Sequence, residues 1–362
     1  MSDYQLFHGD CLDVLPTLDS SSIDLILTDP PYYKVKDEPW DRQWETEAGF
    51  LAWLDTVLVE FARILKPNGS LYLFASPKMA ARVEVLIGQR FNVLNRITWQ
   101  KPPYATKAEM FRKEDLRMFF PASEAIIFAE HFNSDTYAQD GSGYDAECDK
   151  LRGFVFEPLR AYLDEERIRA GVSRDDINEA LGFRRAGGMA GRHYFSSSQW
   201  CLPTEEHYNK MRLCLSRLNH SGEYLRREYE DLRREYEDLR REYEDLRRPF
   251  TVTADVPYTD VWTFPTVGTY PGKHVCEKPL EMMRHIIEAS SRPDGVVLDC
   301  FMGSGNSGIA ATMLGRQYIG IDASVHWVNV AGQRIGKADG QFVTKAGRAD
   351  DLDGLPMFGG EQ

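Results

Sequence analysis

The sequence predicts an α/β fold with a parallel sheet, interrupted by a long inserted region. Three observations carry this. Strand and helix patterns alternate over residues 4–99, which implies parallel strands joined by crossover helices. A second strand–glycine turn–helix unit follows at residues 294–322. Between them the alternation fails for well over a hundred residues. In both alternating regions a strand ends on an acid, at the sheet edge where open α/β sheets bind ligands.

Composition narrows the function classes. With 362 residues, 43% of them hydrophobic, the chain can bury a core large enough for two domains. No apolar run reaches bilayer-spanning length, and Met1-Ser2-Asp3-Tyr4 lacks a signal-peptide pattern, so a cytoplasmic protein is expected. The six cysteines (Cys11, Cys148, Cys201, Cys214, Cys276, Cys300) form no Cys-x-x-Cys pair, and neither structural zinc nor a disulfide framework is expected. A net charge of −13 argues against a generic polyanion-coating protein but leaves room for a local basic surface.

Residues 4–15 read as a strand, a glycine turn and a helix start, with Asp10 at the turn as a helix cap or a ligand contact. The apolar run Ile23–Leu27 is the next strand. Thr28-Asp29-Pro30-Pro31-Tyr32-Tyr33 follows, and its double proline stops the strand and makes the backbone rigid just beyond its end. An acid, a prolyl carbonyl and aromatic rings displayed there suit a planar, amine-bearing ligand. Lys34 to Trp44 is a polar loop and a candidate lid. Residues 47–65 show helical periodicity through Phe50, Leu54, Val57, Leu58 and Phe61, and Lys66-Pro67-Asn68-Gly69 ends the helix. A strand over Ser70–Phe74, a helix over Met79–Ile87 and a strand over Phe91–Trp99 complete the first region. Trp99-Gln100-Lys101-Pro102 closes it, its tryptophan serving either the core or a second stacking surface.

Residues 104–150 mix basic residues (Lys107, Arg112, Lys113, Arg117) with aromatics (Tyr104, Phe111, Phe119, Phe120). Two helical patterns occupy 159–182, the second opened by the capping pair Ser173 and Asp176 and closed by Gly182. It has the look of the second helix of a helix-turn-helix. Arg184 to Tyr194 is glycine-rich, contains Arg184, Arg185 and Arg192 and lacks acids, as a loop lying on a DNA backbone would. Residues 225–248 repeat Leu-Arg-Arg-Glu-Tyr-Glu-Asp every seven residues, a heptad seam with Tyr at a and Leu at d, within a helix expected over 223–248. Glu230–Arg234 and Glu237–Arg241 would support it as i,i+4 pairs. Three readings stand: a coiled coil that makes a homodimer, one helix lying on its own domain, or a helix with an antiparallel partner in the same chain.

After a strand-like stretch come Lys273-His274-Val275-Cys276-Glu277-Lys278-Pro279-Leu280 and a helix to Ala289. The stretch Asp294-Gly295-Val296-Val297-Leu298-Asp299, a strand ending on an acid, then leads into Cys300-Phe301-Met302-Gly303-Ser304-Gly305-Asn306, opening a helix of small residues. Glycines there let the backbone approach a ligand, and the helix start attracts its negative group. The strand Tyr318–Asp322 ends on an acid suited to ribose hydroxyls. From Lys337 the chain lacks periodicity, and 341–362 is expected to be a flexible tail.

Asp-Pro-Pro-Tyr (29–32), the His-x-x-Glu-Lys-Pro segment (274–279), Asp-x-Phe-x-Gly-Ser-Gly (299–305) and the strand end at Asp322 occur in that order, catalytic motif first and cofactor motif last. The set resembles the β class of S-adenosylmethionine-dependent DNA amino-methyltransferases over residues 4–103 and 262–335. The resemblance implies a permuted Rossmann-like methyltransferase sheet carrying an inserted, mostly helical target-recognition domain. Its parts would be 1–103 and 262–340 for catalysis and cofactor binding, and 104–261 for recognition. It implies that Asp29, Pro30, Pro31 and Tyr32 hold the target base, with Trp99 and Lys101 at its pocket. Asp299, Phe301, Gly303, Ser304 and Gly305 would form the S-adenosylmethionine loop. Asp322 would hold the ribose, Asp10 the adenine, and Lys278, Pro279 and Leu280 the methionine end. Arg184, Arg185 and Arg192 would meet double-stranded DNA. Cys300 and Asn306 depart from the family's commoner proline and threonine.

The implied chemistry is direct methyl transfer to an exocyclic amine, without metal or covalent enzyme intermediate. The Pro-Cys dipeptide of cytosine-C5 enzymes is absent. The leading Asp of the motif favours adenine N6, with cytosine N4 as the alternative. A bacterial or phage DNA-modification role, with or without a restriction partner, follows by analogy. A nicotinamide-dependent oxidoreductase would leave Asp-Pro-Pro-Tyr unexplained, and a non-catalytic DNA-binding regulator would bind no cofactor.

Overall fold

A computed structural model describes residues 4–102, 117, 119, 121–131, 153–197, 199–219, 222–252 and 259–342. These fall into two units, with chain boundaries at 134/135 and 247/248. Lys107, Arg112, Lys113, Tyr104, Phe111, Phe120, Cys148 and the tail beyond 342 lie outside the described residues.

The first unit opens with β1 (Tyr4–His8), α1 (Cys11–Val14), β2 (Ile23–Thr28), α2 (Glu47–Ile64), β3 (Leu65–Ala75), α3 (Ala80–Ile87) and β4 (Phe91–Gln100). Thr46 caps α2 by accepting from the Gly49 N–H. The Lys66–Gly69 stretch, expected simply to end the helix, is drawn into β3 as an irregularity. Ile23 pairs with Leu65 but Leu25 pairs with Ser70. β5 (Ser123–His131) corrects the expected limits of the insert, because these residues belong to the sheet. β5 lies antiparallel between β3 and β4 and is buried on both faces over Ala125–Glu130. An antiparallel strand needs no crossover helix, so it leaves no strand–helix alternation to read.

The second unit is helical: α4 (Glu157–Arg169), α5 (Arg174–Ala180), α6 (Met189–His193), α7 (Glu205–Leu218) and α8 (Tyr229–Leu246). The expected Ser173–Asp176 capping box is present, and Gly182 stops α5 at φ +80°. Leu159, Leu163, Ile177, Tyr208, Met211 and Leu215 form its core together with Leu232 and Tyr243 of the heptad helix, which are 1% and 4% exposed. Tyr236 packs on Phe156 and Trp200, and the Tyr229 hydroxyl donates to the Pro203 carbonyl at 2.9 Å. The heptad seam thus packs inside its own unit, as the reading of one helix lying on its own domain expected. The helix also starts later than expected. Leu225 has φ +49°, and the carbonyls of Leu225 and Arg227 accept from Tyr208 and Arg212. Its i,i+4 support is Arg233–Glu237 at 3.1 Å, in place of the two pairs expected from the repeat.

The chain rejoins the first unit at Arg248, whose guanidinium pairs with Glu130 at 3.0 Å, earlier than the expected boundary at 262. Then follow β6 (Val261–Trp262), α9 (Leu280–Ser290), β7 (Val296–Asp299), α10 (Asn306–Met313), β8 (Gln317–Asp322) and α11 (Val325–Phe342). α11 carries helix past Lys337, where the absence of apolar periodicity had suggested a tail. The strand order is β1-β8-β7-β2-β3-β5-β4-β6, parallel from β1 through β3. Leu25 and Leu27 face one core layer with α9, α10 and α11, while Ile23 and Ile26 face the other with α2 and α3. The chain leaves β2 and β7, which are neighbours, toward opposite faces. Their carboxyl ends therefore flank a topological switch point, where α/β sheets bind ligands.

Candidate active site at the switch point

β2 delivers Thr28 and Asp29, and β7 delivers Asp299, to one cavity of about 520 Å³. Its walls include Asp10, Asp29 to Tyr32, Trp40, His274, Lys278, Phe301, Gly303, Ser304, Asp322 and Trp327. The two strand ends are tied directly. The Thr28 hydroxyl donates to Asp299 Oδ1 at 3.0 Å and accepts from the Cys300 N–H at 3.2 Å.

Asp299 is 6% exposed and shapes the glycine turn. It accepts from the Phe301 N–H at 3.1 Å and the Ser307 hydroxyl at 2.6 Å. Burial pushes its carboxyl up to about 6, against these hydrogen bonds. Gly303 (φ +51°) and Gly305 (φ +85°) occupy backbone that L side chains rarely adopt. A Cβ on Gly305 would sit 2.9 Å from that of Ala331. Asp322 accepts from the N–H groups of Gly303 (2.9 Å) and Ser324 (2.8 Å), keeping acceptor capacity toward the cavity. Asp10 caps α1 through the Leu12 N–H at 2.9 Å and also lines the cavity, so both of its expected roles are geometrically open.

Glu277 is a residue whose weight the sequence did not reveal. Its carboxylate accepts from Tyr270 (2.6 Å), Ser304 (2.9 Å), Asn306 (3.1 Å) and Arg334 (3.2 Å). Asn306 also donates to the Lys278 carbonyl at 2.8 Å. The unusual asparagine thus ties the glycine turn to the 274–279 segment, a task its amide performs with two donors.

Around Asp29 lies a buried charge network. Lys278 Nζ meets Asp29 Oδ2 at 2.5 Å and Glu124 Oε2 at 3.4 Å, and Lys101 Nζ meets Glu124 Oε1 at 2.5 Å. Lys278 is 8% exposed and also lies 5.2 Å from the Tyr32 ring centroid. The Tyr32 hydroxyl is near enough to Asp29 to affect it, yet its one hydrogen points to Glu124 Oε2 at 3.1 Å. Asp29 Oδ1 is left buried without a partner. Burial raises Asp29 above the ordinary carboxylate range, with Lys278 only partly offsetting it. Burial acts on Glu124 in the same sense, but two ammonium groups overcome it and hold this carboxyl down to about 2. Glu124 sits on β5 and was missed, although the apolar run Ala125-Ile126-Ile127-Phe128-Ala129 beside it is a strand signal that the lost alternation had masked.

The loop after the prolines is held by Asp41, also missed. This fully buried carboxylate accepts from the N–H groups of Tyr32 (2.6 Å), Val35 (2.6 Å) and Lys36 (2.5 Å). Tyr33 and Lys34 sit at φ +62° and +60°, a tight reversal that non-glycine residues adopt only when neighbours impose it. Trp40 stacks on His274, which meets Trp327 edge-on at 4.6 Å. Burial holds His274 down to about 4, so the ring is neutral near pH 7.

Some expected residues are elsewhere. Trp99 belongs to the core, 2% exposed, its indole N–H donating to the Phe264 carbonyl at 2.9 Å, and it is not among the cavity walls. Lys101 reaches the site only through Glu124. Leu280 is core and Pro279 caps α9, so of that trio Lys278 alone lines the cavity. In the helical unit Arg184 and Arg192 are exposed, while Arg185 is paired with Asp176 and Glu179. Among the described residues no His/Cys/Asp/Glu cluster could hold a metal, and no helix is long and apolar enough to cross a membrane.

Comparison with known proteins points the same way. The model of a family described as DNA methylase matches residues 23–333. The chain is 25% identical over 332 residues to the type II methyltransferase M1.MboII of Moraxella bovis, spanning 90% of this chain and 94% of that one. It is 23% identical over 334 residues to the DNA adenine methyltransferase YhdJ of Escherichia coli (strain K12), spanning 91% and 82%. In fold it is similar to the PvuII DNA methyltransferase (cytosine-N4-specific), with a TM-score of 0.52, 12% identity and coverage of 95% and 93%.

Proposed function

The chain belongs to the DNA methylase family, and on that premise we propose that it methylates adenine N6 at a defined sequence in duplex DNA. The observation that carries this reading is Asp29 Oδ1, a buried acceptor without a partner in the wall of the cavity. An exocyclic amine is the kind of donor that such an atom lacks. The leading Asp of the motif supports adenine over cytosine, as does the similarity to a protein named as a DNA adenine methyltransferase.

The cavity walls suit S-adenosylmethionine as the methyl donor. Gly303 lines the cavity, where a Cβ would press on His274, while Gly305 shapes the turn against Ala331 behind the wall; Asp322 offers acceptors for ribose hydroxyls, and Asp10 faces the same cavity. Glu277 and Lys278 end the wall beside the glycine turn. When bound, the cofactor supplies an electrophilic methyl group. The protein's own contribution is positional. A flipped adenine, unstacked at a cost of a few kcal/mol, would enter beside Pro30 and Pro31. Asp29 Oδ1 and the Pro30 carbonyl would accept its two amine hydrogens and turn the nitrogen lone pair toward the methyl group. Asp29 would then take the proton released as the amine becomes methylated. Burial, by raising its basicity, suits it to that task. Exposed Arg184 and Arg192 of the helical unit are candidates for phosphate contacts.

The test is incubation of the purified protein with mixed-sequence duplex DNA and methyl-labelled S-adenosylmethionine, followed by nucleoside analysis. Label in N6-methyldeoxyadenosine is expected. Label in N4-methylcytosine would replace the base assignment, and an unlabelled DNA with tight cofactor binding would remove DNA as the acceptor.

A further inference from the structure

Two buried carboxylates share one lysine at this site, and their surroundings differ. Asp29 is touched by Lys278 through Oδ2 alone, and its other oxygen is bare. Glu124 is held at both oxygens, by Lys101 at 2.5 Å and by Tyr32 at 3.1 Å, with Lys278 already at 3.4 Å. With all four charged groups ionised, the cluster of Asp29, Glu124, Lys278 and Lys101 is neutral, so Lys278 can move between the carboxylates without changing the net buried charge. An ammonium on Asp29 competes with the substrate amine for the same carboxylate. It also opposes the positive charge that the amine gains on methylation.

We propose that Glu124 is a positioning residue that draws Lys278 away from Asp29 when the target amine arrives, freeing the catalytic carboxylate. The proposal rests on the amine-methylation reading above. Lys278 acts as a gate: it pairs with Asp29 Oδ2 while the pocket lacks a base and passes to Glu124 when the base's amine binds at Oδ1. Lys101 and Tyr32 keep Glu124 in position to receive it, and Glu124 stays ionised at working pH while Asp29 is the carboxylate able to take a proton. The strand β5 is what brings this receiver to the site, from the antiparallel part of the sheet.

The test compares wild type with Glu124→Gln and Glu124→Asp. Wild-type methyl transfer to an amine tests the underlying reading separately, before any variant is made. In Glu124→Gln, Lys278 has one carboxylate left, so kcat should fall by about tenfold or more while the Kd for S-adenosylmethionine changes little. The acid limb of the kcat profile should also move to lower pH, because loss of the Glu124 charge and fuller pairing with Lys278 both favour ionised Asp29. The same downward move should appear in the carboxyl ¹³C titration of Asp29, assigned by its loss in Asp29→Asn and read without turnover. Glu124→Asp keeps the charge and should recover most of kcat. The proposal is overturned if Glu124→Gln retains wild-type kcat and acid limb. It is overturned equally if Glu124→Asp and Glu124→Gln lose kcat and melting temperature together with Asp29 titrating as in wild type, the pattern of a merely structural residue.

Discussion

The Thr28 hydroxyl donates to Asp299 Oδ1 at 3.0 Å, joining two strand ends 271 residues apart in the chain. This bond couples the Asp-Pro-Pro-Tyr turn to the glycine turn, because Asp299 also holds the Phe301 N–H and Thr28 also holds the Cys300 N–H. Thr28→Val keeps the shape and removes the hydroxyl, leaving the Cys300 N–H buried and unpaired. Stability should fall by about 1–3 kcal/mol in urea unfolding, and cofactor affinity, read by calorimetry, should fall with it. Unchanged affinity would show that the two turns are positioned independently.

Asp29 should set the acid limb of activity. Its carboxylate form accepts the amine, and burial raises it above the ordinary value of 3.8, so kcat/KM should fall as pH drops through that raised value. Asp29→Asn should lower kcat by about 10²–10⁴-fold with cofactor binding retained. A wild-type limb at or below 3.8 would contradict the burial argument.

Asp41 is expected to act through the loop it organises. Asp41→Ala orphans three N–H groups, those of Tyr32, Val35 and Lys36. At about 1–3 kcal/mol for each group that stays buried, the variant should lose several kcal/mol or open the loop. Limited proteolysis should then cut within residues 34–44, and methyl transfer should drop even though Asp29 is intact. A variant as resistant and as active as wild type would refute this role.

The heptad helix gives an oligomer prediction. Leu232 is 1% exposed within its own unit. Leu232→Ala should destabilise that unit by roughly 2–5 kcal/mol without changing the sedimentation coefficient of the native protein. A change in mass with stability preserved would restore the coiled-coil reading.

Much of the site was legible because its chemistry is local. Asp29 with its prolines, Asp299 and Asp322 each sit at a strand end and Gly303 in the turn that follows one, and a strand followed by a turn leaves its mark over a few consecutive residues. Trp99 shows the limit of such reading. A tryptophan closing a strand serves core or pocket equally well, and only the Phe264 carbonyl at its indole decides for the core. The heptads show the same limit, since a seam spaced for a partner helix packs as well on Phe156, Trp200 and Tyr208 of its own unit.

The sequence by itself determined the α/β class, the order of the motifs and the candidate residues at each strand end. Those follow from periodicity and turn chemistry, which act between near neighbours. Only the tertiary structure decided that β2 and β7 lie side by side, that β5 is inserted antiparallel, and that Glu124 and Asp41 reach the site. Contacts of that kind depend on strand order and burial, and a buried carboxylate is chosen by the donors that surround it rather than by the residues beside it in the chain.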